Sequence, residues 1–153
     1  MDIETRVQQD ITAILGRAFE VAKTNVLAAL TKLGEECVNR VRNRSQEESW
    51  IDHTGNLRNS IAYAVIAEGQ QVAESINSGT GGTAAREALD EIASAYASAY
   101  ALVVTAGMDY ASYVEAIDGK DVLASAEVWA HGVINERLQS ALDATMTELE
   151  ETA

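Results

Sequence analysis

Apolar residues recur at intervals of three and four over the first third of the chain. No proline interrupts residues 3 to about 44. The repeating positions are Val7, Ile11, Ile14, Leu15, Ala18, Ala22, Val26, Leu30, Leu33, Cys37 and Val41. This spacing is typical of an amphipathic α-helix and predicts one long helix. Because glycine lowers helix stability, a bend or a break is expected near Gly34.

The pattern changes in the middle of the chain. The helical period is lost over residues 44–56, which predicts a loop. Residues 63–67 and 71–76 flank Glu68-Gly69, which can supply a turn residue with positive φ, so we expect a β-hairpin. The apolar run 101–106 predicts a buried third strand of the same sheet.

Three further segments complete the predicted fold. Residues 77–82 contain three glycines and predict a flexible loop, with Thr83 as the N-cap of an alanine-rich helix. A short helix is favoured over a strand for residues 109–118, and a long helix is expected from Asp121 to Glu150. The fold class is therefore α+β, with a long helix at each end and an antiparallel sheet of about three strands.

Composition and charge limit the classes of function. A chain of 153 residues predicts a single domain, here residues 1–153. Eleven basic and 24 acidic residues give a net charge of −13, which opposes sequence-specific recognition of nucleic acid. The first residues lack the pattern of an export signal, no apolar run is long enough to span a membrane, and the default compartment is a reducing cytoplasm. One cysteine, Cys37, excludes an internal disulfide, and its place on the apolar stripe predicts burial.

Candidate chemistry is sparse. Asp52, His53 and Thr54 bring a carboxylate, an imidazole and a hydroxyl together, so a small metal-dependent hydrolase is one alternative function. The only other histidine, His131, lies in the last helix without a metal-binding pattern, and a solvated loop is the favoured interpretation of His53. We assign no catalytic, cofactor-binding or metal-binding residue. An acidic helical adaptor that imitates the charge of DNA is a further alternative.

Aromatic and basic residues offer candidate contacts. Trp50 stands in a polar loop, where it either folds back onto the core or anchors a partner. Tyr110 and Tyr113 either contact a partner or cover the core of the sheet. The trio Arg40, Arg42 and Arg44 either complements the dipole at the end of the first helix or contacts an acidic neighbour.

Two short motifs remain, TGNLRNSI at residues 54–61 and AGMDYASYVEA at residues 106–116. In this order, between two long helices, they resemble the TGxLRxSI signature and the YAxYVExG segment of the tail-completion family of long-tailed bacteriophages. The resemblance covers roughly residues 5–145. Many relatives have a glycine soon after YVE and then a proline, whereas this chain has no proline, so the start of the last helix is expected to differ. Residues 78–98 resemble an insertion between the strands.

The resemblance implies a structural virion protein rather than an enzyme: a minor tail or head-tail joining protein of the phage neck, with no cofactor. Such a protein would assemble in the host cytoplasm as a homo-oligomeric, six-fold ring that completes or joins the tail. Its partners would be the connector, the tail terminator or the tail tube, and DNA would pass through an acidic lumen. Gly55 suits a position of unusual φ, and Arg58 offers charge-assisted hydrogen bonds to a neighbour or to its own loops. The candidate interface residues are Trp50, Thr54, Gly55, Leu57, Arg58, Tyr110 and Tyr113.

Overall fold

A computed structural model describes residues 2–44, 50–117 and 120–153. Its elements, in chain order, are α1 (Ile3–Arg42), α2 (Asn56–Asn59), β1 (Ile61–Ala67), β2 (Gln70–Ser75), α3 (Gly79–Ala93), a 3₁₀ turn (Ser94–Tyr96), β3 (Tyr100–Ala106), α4 (Ala111–Glu115) and α5 (Ala124–Glu151). The predicted α+β class is confirmed. The predicted loop at residues 44–56 is confirmed for residues 44 and 50–55, whereas Asn56 already begins α2 and residues 45–49 lie outside the described residues.

The three strands form one antiparallel sheet in the order β2-β1-β3. Glu68 and Gly69, with φ of 53° and 83°, make the tight turn between β1 and β2 that the sequence predicts. Tyr63 faces Ser75 on one side and Val104 on the other, and the register with β2 shifts between Val65 and Ile66. The hairpin and the third strand are thus confirmed.

Strand β1 forms the centre of the core, since all seven of its residues are buried. On one face of the sheet, Ala62 and Ala64 pack with Ala85 and Leu89 of α3. On α1, Gly34 lies against the ring of Tyr63, where an added Cβ would come within 2.5 Å of that ring. The segment expected to be an insertion therefore supplies part of the core. Strand β3 is only partly buried, in contrast to the buried strand expected, because it has a neighbouring described strand on one side only.

The start of α3 differs from the prediction. The helix begins at Gly79, with Ser78 at the N-cap, so residues 79–82 are helical and Thr83 lies inside the helix. Gly81 and Gly82 are buried, and a Cβ on Gly81 would approach the carbonyl oxygen of Asn56 to 2.4 Å. These glycines permit close contact with neighbouring backbone, which local sequence cannot distinguish from the flexibility of a loop.

The other helices follow the predictions closely. Helix α1 is continuous through Gly34, so there is no break at this residue, and α4 is the predicted short helix. Helix α5 begins at Ala124 rather than at Asp121, because Asp121 lies ahead of the first turn and its Oδ1 accepts the Ser125 N–H at 3.2 Å.

The chain divides into two compact units. One contains Met1–Ala29 and Asn135–Ala153, where the side-chain amide of Asn25 donates to Thr145 Oγ1 at 3.0 Å and to Glu148 at 3.2 Å. The other, Leu30–Ile134, contains the sheet and the short helices. The assignment of residues 1–153 to a single domain stays a prediction. Among the described residues, no helix is both long enough and apolar enough to cross a membrane.

Candidate functional site

The first motif folds into a tight turn followed by the single helical turn α2. Gly55 has a φ of 75°, in the left-handed region, and its carbonyl oxygen accepts the Asn59 N–H at 2.9 Å. A Cβ there would meet only Asn59 Nδ2, at 3.5 Å, so it is the backbone conformation that favours glycine. Leu57 is 1% exposed, and Thr54 is exposed with its hydroxyl accepting the Asn56 N–H at 3.2 Å.

Arg58 closes the C-terminal end of α1. Its Nη1 donates to the carbonyl oxygens of Arg42 at 2.6 Å, Arg44 at 3.0 Å and Val41 at 3.4 Å. The last carbonyls of a helix have no partner within the helix, and a cation there also opposes the negative end of the helix dipole. Of the two alternatives for Arg58, the structure therefore shows the hydrogen bonds within its own chain.

Trp50 folds back onto the chain. Its side chain is 3% exposed, and the guanidinium of Arg58 lies 4.8 Å from the centre of its ring, close enough for a cation–π interaction. Trp50 and Leu57 thus support the turn from inside, and neither offers its side chain at the surface. Of the two alternatives for Trp50, the structure shows the one in which it folds back onto the core, while a contact of Trp50 or Leu57 with a partner stays a prediction.

The second motif closes the N-terminal end of α5. One oxygen of the Glu115 carboxylate accepts the N–H groups of Val122 and Leu123 at 2.8 Å, and the other accepts that of Ala124 at 2.9 Å. The first N–H groups of a helix lack partners within the helix, and an anion there is favoured by the dipole. Glu115 therefore caps a helix that begins nine residues later.

The two motifs contact each other directly. The N–H of Gly107 donates to the carbonyl oxygen of Ser60 at 3.1 Å, and the N–H of Met108 lies 3.4 Å from Ser60 Oγ. Gly107 also presses on α3, because a Cβ there would lie 2.4 Å from the backbone of Ala84 and Ala85. One junction therefore joins segments that are more than 40 residues apart in the sequence.

The basic trio lies at the C-terminal end of α1 and just after it, and each arginine has a partner on another segment. Arg44 forms an ion pair with Asp121 at 2.9 Å, so for this residue the predicted contact with an acidic neighbour is confirmed. Burial acts to raise the pKa of Asp121, but hydrogen bonds from Ser125 and the charge of Arg44 outweigh it and hold that pKa below its ordinary value. Arg42 Nε donates to the carbonyl oxygen of Ile61 at 3.0 Å, and Arg40 lies 3.8 Å from the centre of the Trp129 ring.

Three apolar or aromatic side chains around α4 face the solvent. Tyr110 is 40% exposed, Tyr113 73% and Ile117 44%; Tyr113 lies in α4, Tyr110 directly before it and Ile117 two residues after it. We call these three residues the α4 patch. The alternative that both tyrosines cover the core of the sheet does not agree with this exposure.

The residues proposed for the alternative hydrolase site do not lie together as a catalytic or metal-binding group. Asp52 Oδ2 accepts the backbone N–H of Arg58 at 2.7 Å, while His53 is exposed. His131 lies 3.8 Å from Glu127 on the surface of α5. Within residues 2–44, 50–117 and 120–153, no three His, Cys, Asp or Glu side chains are placed to hold a metal ion. Cys37 is buried as predicted, and this burial raises the pKa of its thiol.

Sequence reasoning missed two features. The capping roles of Arg58 and Glu115 arise from contacts with distant segments, for which the only sequence signal is a charged residue inside a conspicuous motif. The N-terminal half of the α1 stripe is also exposed, from Ile3 at 81% to Ile11 at 47%, whereas periodicity alone cannot tell a buried face from an uncovered one. Comparison of the chain with protein families, with curated proteins and with solved structures finds no match.

Proposed function

We propose that this chain is a structural protein of the phage neck or tail, which assembles as a ring at the head-tail junction to complete or join the tail. The observation that carries the proposal is the contact between Ser60 and Gly107. The two motifs that resemble the tail-completion family are far apart in the sequence, yet they build one junction. Antiparallel pairing of β1 with β3 sets Ile61 beside Ala106, so the fold brings the end of the first motif next to the start of the second. This agreement between the motif pair and the fold supports the resemblance.

The roles of the motif residues favour assembly over catalysis. The charged side chains of Arg58 and Glu115 form hydrogen bonds with the end of α1 and the beginning of α5. The carboxylate of Asp52 accepts a hydrogen bond from a backbone N–H. Such hydrogen bonds hold a rigid shape, which a subunit that must fit between neighbours requires. The same bonds occupy the groups that an acid, a base or a metal site would need.

The α4 patch is the surface that we assign to the neighbour in the assembly. Tyrosine is favoured at interfaces because its ring buries a large area while its hydroxyl stays hydrogen-bonded, and Tyr113 is 73% exposed beside the anchored Glu115. When one such surface binds a different surface on the next copy, the repeated contact closes into a ring if the rotation between neighbouring copies divides a full turn. The partners are the connector, the tail terminator or the tail tube, and the acidic charge of the subunits lets DNA slide through the lumen.

The test is assembly with the structural proteins encoded beside this chain. Purified protein would be mixed with the connector or the tail-tube protein, and the products followed by light scattering and electron microscopy. We expect rings bound coaxially to the partner, and antibodies against the chain should label the neck of intact virions. A protein that forms no multimer with either partner, or that is absent from virions, would contradict the proposal.

A further inference from the structure

The first half of α1 carries an uncovered apolar face. Its five members, which we call the α1 row, are exposed by 47 to 81% and are Ile3, Val7, Ile11, Ile14 and Leu15. At 3.6 residues per turn they fall within about 120° of the helix circumference. A stripe of this width is what a helix normally buries against another element.

The same face of α1 is covered further along the helix. Asn25 donates to Thr145 and Glu148 of α5, and Ala18, Val21 and Ala22 are half-buried. The exposed residues N-terminal to Ala18 therefore continue a face that packs on a helix elsewhere in this unit. A second helix lying on the α1 row would extend that packing.

We infer that the α1 row of one copy pairs in antiparallel orientation with the α1 row of a second copy of this chain. Around a two-fold axis at the level of Gln9 along the helix, whose own side chain lies on the opposite side, Val7 of each copy lies across from Ile11 of the other, and Ile3 across from Leu15. Four of the five apolar side chains of the row are matched in this way, and Ile14 lies at the level of Glu4 of the other copy. This self-complementarity is the property that an isologous interface requires.

The charges beside the row fit the same axis. In an antiparallel pair, the same flank of each helix meets its counterpart, and Arg6 and Asp10 lie on one flank. The axis near Gln9 brings Arg6 of each copy towards Asp10 of the other, which gives two opposite-charge pairs. Residues 11–16 carry no charge, so two chains of net charge −13 can approach each other here without strong repulsion.

The area of the row sets the strength of the pairing. Pairing of two rows would bury ten side chains that are each exposed by about half or more. It would remove on the order of 1,000 Å² of accessible surface from water, which is the lower end for specific interfaces. The dimer is therefore weak and dependent on concentration. This inference goes beyond the proposed function, because it uses neither the α4 patch nor any phage partner.

The test is sedimentation velocity of the full chain over a range of concentrations from low micromolar to millimolar. We expect reversible dimerisation. The Ile11→Glu variant places like charges next to the two-fold axis and should weaken the dimer by about tenfold or more. Gln9→Glu adds the same charge on the opposite side of the helix and serves as the control, with an unchanged dissociation constant expected. Circular dichroism would show that both variants keep their helix content.

Charge reversal tests the register. Arg6→Asp and Asp10→Arg should each weaken the dimer, and the double variant that exchanges the two charges should restore it. A wild-type chain that stays monomeric up to millimolar concentration, an Ile11→Glu variant that dimerises normally, or a double variant that is no better than the single ones would overturn the inference. None of these results affects ring assembly through the α4 patch, so the two proposals fail separately.

Discussion

The backbone N–H of Gly107 donates a hydrogen bond to the carbonyl oxygen of Ser60 at 3.1 Å. This bond joins the end of the first motif to the start of the second. In the first motif, Arg58 donates hydrogen bonds to the end of α1. In the second motif, Glu115 accepts hydrogen bonds from the beginning of α5. The junction thus anchors the end of α1 and the beginning of α5.

Arg58 should matter more for stability than an exposed arginine. We expect Arg58→Ala to lower the free energy of unfolding by about 3 kcal/mol, because it leaves the last carbonyl groups of α1 without their charged donor. Arg86→Ala is the matched control. Arg86 pairs with Glu74 on the surface, so its loss should cost less than about 1 kcal/mol. Urea unfolding of both variants makes the comparison, and equal losses would refute the capping role.

Glu115 should stabilise α5 through its charge and both of its oxygens. Glu115→Gln keeps the size of the side chain but replaces one acceptor with a donor, which should cost about 1 to 2 kcal/mol. Glu127→Gln changes another acid in the first turn of α5, one that is 71% exposed, and should stay within about 0.5 kcal/mol of the wild type. If both variants unfold at the same urea concentration, Glu115 is not a cap.

Two glycines of α1 should respond in opposite directions to the same change. Gly34→Ala should destabilise the protein by about 1 to 3 kcal/mol, because the added Cβ would lie 2.5 Å from the ring of Tyr63. Gly16 has open space around its Cα, so Gly16→Ala should stabilise the helix by up to about 1 kcal/mol. Thermal unfolding measures both. A stabilising Gly34→Ala would show that α1 does not press on β1 at this point.

The long elements could be predicted from the sequence because their signals are local. Apolar spacing identifies α1 and α5, and Glu68-Gly69 identifies the hairpin turn. Gly81 and Gly82 led to the wrong prediction of a loop, because the sequence shows a glycine in both cases, whether it is needed for close packing or for a flexible loop. The burial of Trp50 depends on Arg58 and on the fold around it, which no local pattern encodes.

Alkaline pH should destabilise the protein through Tyr63. Burial, together with the hydrogen bond that its hydroxyl donates to Glu35 at 2.7 Å, raises the pKa of Tyr63 from 10.0 to about 12. The folded protein holds this proton more tightly than the unfolded chain does. Its stabilising contribution is therefore complete below pH 10 and is lost as the pH rises towards 12.

The Tyr63→Phe variant isolates this effect. It lacks the titrating hydroxyl, so its free energy of unfolding should fall less steeply than that of the wild type between about pH 10 and about pH 12. At neutral pH the lost hydrogen bond should cost about 1 kcal/mol. Urea midpoints at several pH values supply the test. Parallel curves for the two proteins would disprove the link between Tyr63 and alkaline unfolding.

We propose that the chain acts by assembly, with the α4 patch as its contact. The most direct measurement is binding of the wild type and of Tyr113→Ala to the connector or the tail tube, with the melting temperature measured in parallel. Tyr96→Ala, which removes another partly exposed ring, is the control. We predict that Tyr113→Ala loses about 2 kcal/mol or more of association free energy at a nearly unchanged melting temperature, while Tyr96→Ala binds normally. A Tyr113→Ala protein that melts early but binds its partner normally, or one that matches the wild type in both respects, would contradict the account.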